Sequence, residues 1–172
     1  MAELVAPASR QGECLTSRLS VLRLLLSYWE AGDVKAMLQQ LARLDEPSVV
    51  VDVVRAGVLK GGRLDLECAI VLLPTLDGLL ASTYEDHALA AVQAVAQLVL
   101  IFGQLIRNTR AIARDMLGVD LSAEARQQRC QAAYEQLVAM LPRLRHLAQG
   151  GGPKVKGVAA EVLESFRTEL GA

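Results

Sequence analysis

Apolar residues recur at intervals of three and four along most of the chain, and glycines, prolines and capping residues interrupt them. This spacing is typical of amphipathic helices, and the interruptions divide the chain into about seven of them. The predicted helices cover residues 16–31, 33–44, 47–59, 66–80, 82–116, 123–149 and 155–170. Pro74 is predicted to kink or split the fourth helix, and Pro142 to kink the sixth. Residues 1–15 are predicted to be a flexible lead-in, and residues 16–172 a single domain.

The third predicted helix contains a run of valines that would ordinarily indicate a strand. In SVVVDVVRAGVL, residues 48–59, neither face alternates cleanly between apolar and polar. A helix places Ser48, Asp52 and Arg55 in one polar stripe, with Asp52 and Arg55 at pairing distance. Each valine costs roughly 0.5 kcal/mol of helix propensity, and burying it returns roughly 1.5 kcal/mol. We therefore expect a helix that is covered on nearly all sides, by its own domain or by a partner.

Capping residues mark several helix starts. Asp45 can cap the valine helix, and Pro47 suits its first turn, where a missing N–H costs nothing. Asp33 can cap the second helix, and Asp65 can cap the fourth. Ser82 and Glu85 have the spacing of a reciprocal capping box at the start of the fifth.

Composition narrows the class of protein. A chain of 172 residues with 52% hydrophobic residues can bury the core of one domain, and an aromatic content of 3% favours helices over β-sandwiches. A net charge of -1 gives no whole-chain argument for nucleic acid or an anionic membrane, and we expect neither as a partner. Cys14, Cys68 and Cys130 are odd in number and widely separated, which favours reduced intracellular thiols over disulfides or a zinc site.

One segment, residues 88–106, is uncharged over about the length that spans a bilayer. Gln93, Gln97 and Gln104 fall on one side of it, as in the central helix of a soluble bundle. A buried core helix is therefore favoured over a membrane span. The first twelve residues lack the basic start and apolar core of a signal peptide.

The order of the predicted helices suggests how they pack. No period near 34 or 42 residues repeats in the sequence, yet pairs of helices joined by short turns follow one another. This order predicts an all-α fold, an antiparallel stack of the armadillo or HEAT kind. Such stacks present grooves that bind helices or peptides.

The sequence offers little for catalysis. The only histidines are His87 and His146, and there is no nucleophile elbow, phosphate-binding glycine loop or carboxylate cluster. We expect no catalytic residue, no cofactor and no metal. His87, in the first turn of the fifth helix, is either an exposed surface residue or a partner contact.

The roles of Trp29 and of a stripe of arginines each have two possible interpretations. Trp29 lies on the apolar side of the first helix, as a core residue or as an interface anchor. Arg107, Arg110 and Arg114 form a stripe near the end of the fifth helix, either a solvated face or a dock for an acidic surface.

A set of short motifs resembles a known family. The motifs are WEAGDVK (29–35), PSVVVD (47–52), LDL (64–66), VLLP (71–74), STYE (82–85), GVDLS (118–122) and Arg129-Cys130. Their order and approximate spacing resemble those of the conserved C-terminal domain of the WD-repeat-containing, regulatory subunit of katanin. The match covers about residues 18–147. We take the chain to be this domain without the WD-repeat propeller that precedes it in the family.

The resemblance implies a function. It implies a helical, armadillo-like domain without catalytic activity that clasps the amino-terminal helical bundle of katanin's AAA ATPase subunit. In this family the complex also contacts microtubules and recruits spindle-pole and microtubule minus-end proteins. The implied location is the cytoplasm and cytoskeleton, at microtubules, the centrosome or spindle pole, and the ciliary base.

Candidate residues follow for each partner. Excess hydrophobicity on the early helices suggests Trp29, Val50 and Val54 for the ATPase subunit. The resemblance points to Tyr84 and His87 for a recruited protein, although the family often has an aromatic residue at position 87. Positive residues that could meet the acidic microtubule are Arg107, Arg110, Arg114, Lys154 and Lys156. Two alternatives remain: a generic helical scaffold unrelated to microtubules, and a small helical enzyme.

Overall fold

The computed structural model describes residues 5–44, 46–60, 62–112 and 121–172, and their side chains except those of residues 5–11, 13, 14 and 121. Within these ranges the protein is all-α and contains no strand, as predicted. The helices are α1 (Val5–Glu30), α2 (Val34–Leu44), α3 (Pro47–Arg55), α4 (Leu66–Leu80), α5 (Glu85–Ile112), α6 (Leu121–Gly150) and α7 (Pro153–Ser165), and a π-helical turn (Phe166–Leu170) follows α7.

The helices form two layers. In one layer α4 packs between α2 and α6, and in the other the contacts run from α1 through α3 and α5 to α7. Two ion pairs, Glu67 with Arg129 and Asp77 with Arg143, join α4 and α6 in the same order along both helices. These two helices are therefore parallel. Lys35, at the start of α2, also pairs with Glu67 at 2.6 Å.

Helices α5 and α7 also run in parallel. Their starts are joined by a hydrogen bond from the backbone N–H of Lys154 to Glu85, and their ends by one from Arg107 to the carbonyl of Thr168. Near that end, a Cβ on Gly103 would lie 2.7 Å from the Cβ of Glu169. Only glycine at position 103 therefore allows α5 to approach the π-helical turn that follows α7 so closely.

The valines at residues 49–54 are helical, as predicted, and the chain's own core covers this run. The predicted helix over residues 47–59 is too long, because α3 ends at Arg55 and residues 56–60 form a turn. Val49, Val50, Val51 and Val53 are all buried. The predicted pair of Asp52 with Arg55 is wrong. Arg18 of α1 donates instead to Asp52 at 2.7 Å, because α1 lies against this polar stripe, and Arg55 reaches the carbonyl of Asp86.

Two of the predicted caps form. Asp33 accepts from the N–H of Ala36 at 3.0 Å, and Asp65 accepts from the N–H of Cys68 at 2.7 Å. The predicted capping box is wrong, because Ser82 accepts from the N–H of Tyr84 instead. The carboxylate of Glu85 is directed away to the start of α7. Asp45 lies outside the described residues.

Several helix bounds differ from the prediction. Helix α1 already includes Val5 instead of starting near residue 16, and residues 5–15 include several good helix formers. The extent of the domain, residues 16–172, stays a prediction. Pro74 and Pro142 both lie inside continuous helices, so Pro74 does not split α4.

Helix α5 lies at the centre of the fold and contacts α3, α4, α6 and α7. Its apolar face is buried, which confirms a core helix, and Gln93 and Gln104 face solvent. It is also the one helix within the described ranges that is long and apolar enough to cross a membrane. Of its most apolar window, 56% is buried inside the domain.

Candidate partner-binding surface

One side of α1 presents a row of apolar side chains that the domain does not cover. Leu15, Leu19 and Leu26 are exposed, and Leu22 and Trp29 are half-buried between them and the core. Successive members are four, three, four and three residues apart. This is the spacing with which one helix packs along another. We call these five residues the α1 seam.

A cavity of about 360 Å³ opens beside the α1 seam. Leu22, Leu26 and Trp29 line it on one side, and Val53 and Val58 on the other. The guanidinium of Arg63 lies 5.0 Å from the centroid of a Trp29 ring and donates to the Trp29 carbonyl at 3.1 Å. The tryptophan is therefore held in place at the edge of a space that can accept an apolar side chain.

A second uncovered apolar surface lies on the carboxyl-terminal half of α5, where Leu100, Ile101, Leu105 and Ile112 are exposed. The length of α3 explains both surfaces. It has 9 residues, against 26 in α1 and 28 in α5. At 1.5 Å per residue, α3 is about 13 Å long and its neighbours about 39 and 42 Å, so α3 leaves much of each neighbour uncovered.

The structure places the three residues that were predicted to bind the ATPase subunit in different environments. Trp29 lies in the α1 seam, and Val54 is partly buried against the core. Val50 is only 2% exposed. Its side chain packs in the core at the wall of a second cavity, which Pro47 and Pro74 also line, and its contact with the ATPase subunit stays a prediction. The sequence prediction missed Leu19 and Leu26, although their spacing from Trp29 is visible in the sequence.

Exposed Tyr84 and half-buried His87 lie together at a corner at the start of α5. Tyr84 is 69% exposed, and its ring centroid lies 5.2 Å from that of His87. Oγ of Ser82 lies 3.4 Å from Nδ1 of His87. On the other side of the corner, Glu85 holds the start of α7. The corner is thus a rigid site that presents an aromatic and an imidazole ring together.

The predicted arginine stripe does not form one free surface. Arg107 donates to the carbonyl of Thr168 at 3.0 Å. The guanidinium of Arg110 lies 3.3 Å from the ring centroid of Tyr134 and donates to Gln131 at 3.0 Å. Arg107 therefore reaches towards the end of α7 and Arg110 towards α6. Arg114 lies outside the described residues.

The two predicted lysines lie at the start of α7. Lys154 is 3.6 Å from Asp86, and both it and Lys156 are exposed. Because Lys154 is already beside a carboxylate, part of its charge is neutralised locally. Lys156 is one of the exposed cations that could meet an acidic surface.

The described residues show no group of three or more histidine, cysteine and acidic side chains that could hold a metal ion. Cys68 and Cys130 are free thiols and are buried. Burial raises the pKa of the Cys68 thiol to about 11. A thiol with so high a pKa is protonated at neutral pH and is a poor nucleophile.

An all-helical domain with exposed apolar helix faces and a rigid aromatic corner belongs to the class of helical interaction domains. Comparison with protein families identifies it more closely, since residues 11–165 match the con80 domain of katanin. The chain therefore belongs to this family, which confirms the resemblance in its motifs.

Relatives include katanin p80 WD40 repeat-containing subunits. The chain is 36% identical over 138 residues to a subunit B1 homologue of Arabidopsis thaliana, covering 80% of this chain and 12% of that protein. It is 34% identical over 123 residues to the Danio rerio subunit B1, covering 72% and 18%. The Xenopus tropicalis subunit B1 is 29% identical over 138 residues, covering 80% and 21%. The chain thus spans only a small part of the length of these relatives.

Proposed function

We propose that this domain is a non-catalytic regulatory and targeting module of katanin. It binds the amino-terminal helical domain of the AAA ATPase subunit and helps to recruit the severing complex to microtubules and to spindle-pole or minus-end proteins. The observation that carries the proposal is the exposed α1 seam of a domain that belongs to the con80 family. The complex would act in the cytoplasm, at microtubules, spindle poles or centrosomes, and ciliary bases.

The partner's helices would complete the layer that the short helix α3 leaves open. Fully burying one leucine contributes roughly 1.5 to 3 kcal/mol, so the three exposed leucines of the α1 seam could together drive a stable complex. Trp29 and the cavity beside it supply the kind of anchored aromatic site that dominates interface energetics. The exposed apolar residues of α5 would extend the same contact.

The arrangement of the helices supports an armadillo-like or HEAT-like stack. Two layers, with parallel neighbours α4 and α6 in one and α5 and α7 in the other, are what successive helix pairs produce. In such a stack, corners between helices are available for further partners.

A second partner would dock at the corner of Tyr84 and His87. The support is the high exposure of Tyr84 and the hydrogen bond that joins Glu85 to the start of α7. A rigid aromatic side chain loses little conformational entropy on binding, which suits a contact with a short recruiting segment. Spindle-pole and minus-end proteins are the partners that the family resemblance implies.

Microtubule contact would rely on exposed positive charge. The start of α7 supplies Lys154 and Lys156, and Arg107 remains exposed although it holds the end of α7. Such contacts are screened over about 8 Å at physiological salt, so each is weak alone. Binding would therefore be stronger for the complex with the ATPase subunit, which combines two surfaces.

Co-purification tests the proposal against the alternatives. The purified domain and the amino-terminal helical domain of a katanin ATPase subunit should elute together as a one-to-one complex. A folded domain that elutes alone would favour a generic helical scaffold. Turnover of any substrate by the purified domain would favour an enzyme instead.

A further inference from the structure

Three hydroxyl residues carry the pattern that acidophilic protein kinases recognise, in which a carboxylate follows three residues after the hydroxyl. The pairs are Ser27 with Glu30, Ser82 with Glu85, and Thr83 with Asp86. Such kinases select their substrates by placing cationic side chains opposite this carboxylate. The pattern is short, so the surroundings of each hydroxyl decide whether a kinase can reach it.

Thr83 is the one of these three residues that is both exposed and outside a helix. It lies in the bend between α4 and α5, and its hydroxyl forms no hydrogen bond to any described residue. Ser27 lies inside α1, where its Oγ donates to the carbonyl of Leu24 at 2.7 Å. Ser82 is half-buried, and its Oγ accepts from the N–H of Tyr84. Because a kinase binds its substrate as an extended segment, the loop position favours Thr83.

The carboxylate that follows Thr83 is also the more accessible of the two at the start of α5. The Asp86 side chain is 60% exposed, and its Oδ1 lies 3.6 Å from Nζ of Lys154. An ion pair between two such exposed groups contributes little, so the cations of a kinase can take the place of Lys154. Glu85, the carboxylate that follows Ser82, is half-buried and already accepts from the backbone N–H of Lys154.

The surroundings of Thr83 also supply charge that compensates a phosphate. A guanidinium nitrogen of Arg55 lies 3.4 Å from the carbonyl of Asp86, and the ammonium of Lys154 lies beside the Asp86 carboxylate. Thr83 comes two residues before α5, whose positive end favours a nearby anion. The carboxylates of Glu85 and Asp86 oppose the added charge, but both are turned towards Lys154. The start of α5 can therefore carry a phosphate without unfolding.

We propose that Thr83 is a phosphorylation site for an acidophilic serine/threonine kinase. The hydroxyl oxygen of Thr83 attacks the γ-phosphorus of ATP, so that a new O–P bond forms and the bond from this phosphorus to the β,γ-bridging oxygen breaks. ADP leaves with the bonding electrons, and the catalytic aspartate of the kinase takes the hydroxyl proton. The phosphate adds a charge of about -1.5 to -2 beside Tyr84 at neutral pH. Phosphorylation thus changes the charge of the corner of Tyr84 and His87, and the site itself does not depend on the proposed function.

Treatment of the purified domain with casein kinase 2, an acidophilic kinase, and with ATP and Mg²⁺ tests the proposal. Mass spectrometry of the intact protein and of its peptides should show one phosphate, on Thr83. Thr83→Ala should abolish the incorporation. Asp86→Asn should slow it by about tenfold, because the kinase loses a charge-assisted contact.

Ser27→Ala is the matched control, since Ser27 has the same sequence pattern but lies within α1. This variant should be phosphorylated at the wild-type rate, and circular dichroism should show that all three variants are folded. A phosphate on Ser27 or Ser82 instead of Thr83 would overturn the proposal. Phosphorylation of Asp86→Asn at the wild-type rate, or no incorporation into the folded wild-type domain, would overturn it as well.

Discussion

The carboxylate of Glu85, at the start of α5, accepts a hydrogen bond from the backbone N–H of Lys154, at the start of α7, at 2.8 Å. It thereby caps one helix from the first turn of another. Gly152 makes room for this contact, because a Cβ at that position would overlap the carboxylate. The pair fixes the corner that presents Tyr84 and His87.

Because of this cap, we expect substitutions of Glu85 and Gly152 to change the free energy of unfolding non-additively. Removing a helix cap typically costs about 1 kcal/mol, so Glu85→Ala should lower the free energy of unfolding by about that amount. Gly152→Ala should cost a similar amount, because its Cβ displaces the flexible carboxylate. The double variant should cost little more than either single one. Urea unfolding of the four proteins measures this, and additive losses would show that the residues act independently.

The close approach of α5 to the π-helical turn after α7 should tolerate an added side chain less well. A Cβ at Gly103 would overlap the Cβ of Glu169 and approach its backbone, which cannot move aside as a side-chain end can. Overpacking of this kind typically costs about 1 to 3 kcal/mol. We expect Gly103→Ala to lower stability by that amount in urea unfolding. Gly78→Ala is the matched control, since no atom lies within 4 Å of its added Cβ. Equal stability of both variants would contradict the close approach.

The burial of Cys68 predicts that the free energy of unfolding depends on pH above neutrality. Burial raises its pKa from 9.0 to about 11, so the folded thiol keeps its proton where the unfolded one loses it. The stabilisation that Cys68 gives relative to Cys68→Ala should therefore be constant below about pH 8 and should shrink as the pH rises from 9 towards 11. Urea unfolding at a series of pH values measures the difference. A constant difference across this range would contradict the raised pKa.

Sequence reasoning predicted the helices better than the surfaces. The caps of Asp33 and Asp65 and the helical valine run depend on local chemistry and on burial, both of which the sequence carries. The partner of Glu85 could not be predicted, because Lys154 is distant in sequence and only the parallel packing of α5 and α7 brings them together. The burial of Val50 inside the domain could not be predicted for a related reason: excess hydrophobicity does not reveal whether the chain's own helices or a second chain covers a side chain.

Replacement of Tyr84 should weaken the recruitment of a spindle-pole or minus-end protein but leave assembly with the ATPase subunit unchanged. Tyr84→Ala should weaken binding of a spindle-pole or minus-end protein by tenfold or more, roughly the range of an interface anchor. Because the side chain is highly exposed, stability and ATPase-subunit binding should not change. Pull-down and calorimetry measure the two interactions. His146→Ala, exposed on α6, is the control. Undiminished recruitment by Tyr84→Ala would place the docking site elsewhere.

The microtubule contact should depend on salt and on the start of α7. We expect Lys156→Glu to reduce co-sedimentation of the ATPase complex with microtubules at low salt, and the difference from wild type to shrink at moderate salt. Lys60→Glu, with the same charge change at an exposed turn after α3, should behave as wild type. Arg107/Arg110/Arg114→Ala is less direct, because Arg110 also packs on Tyr134. If Lys156→Glu pellets like wild type at both salts, the contact does not involve the start of α7.

The α1 seam itself can be tested with two leucines of one helix. Leu19 lies in the seam and is 48% exposed, whereas Leu24 lies on another side of α1 and is 49% exposed. Titration calorimetry against the ATPase subunit's amino-terminal helical domain should show that Leu19→Glu weakens binding by about a hundredfold or more, since it buries an unpaired charge. Leu24→Glu should stay within about threefold of wild type, because exposed substitutions outside an interface change little. Equal affinities of the two folded variants would contradict the assignment of the α1 seam as the partner-binding surface.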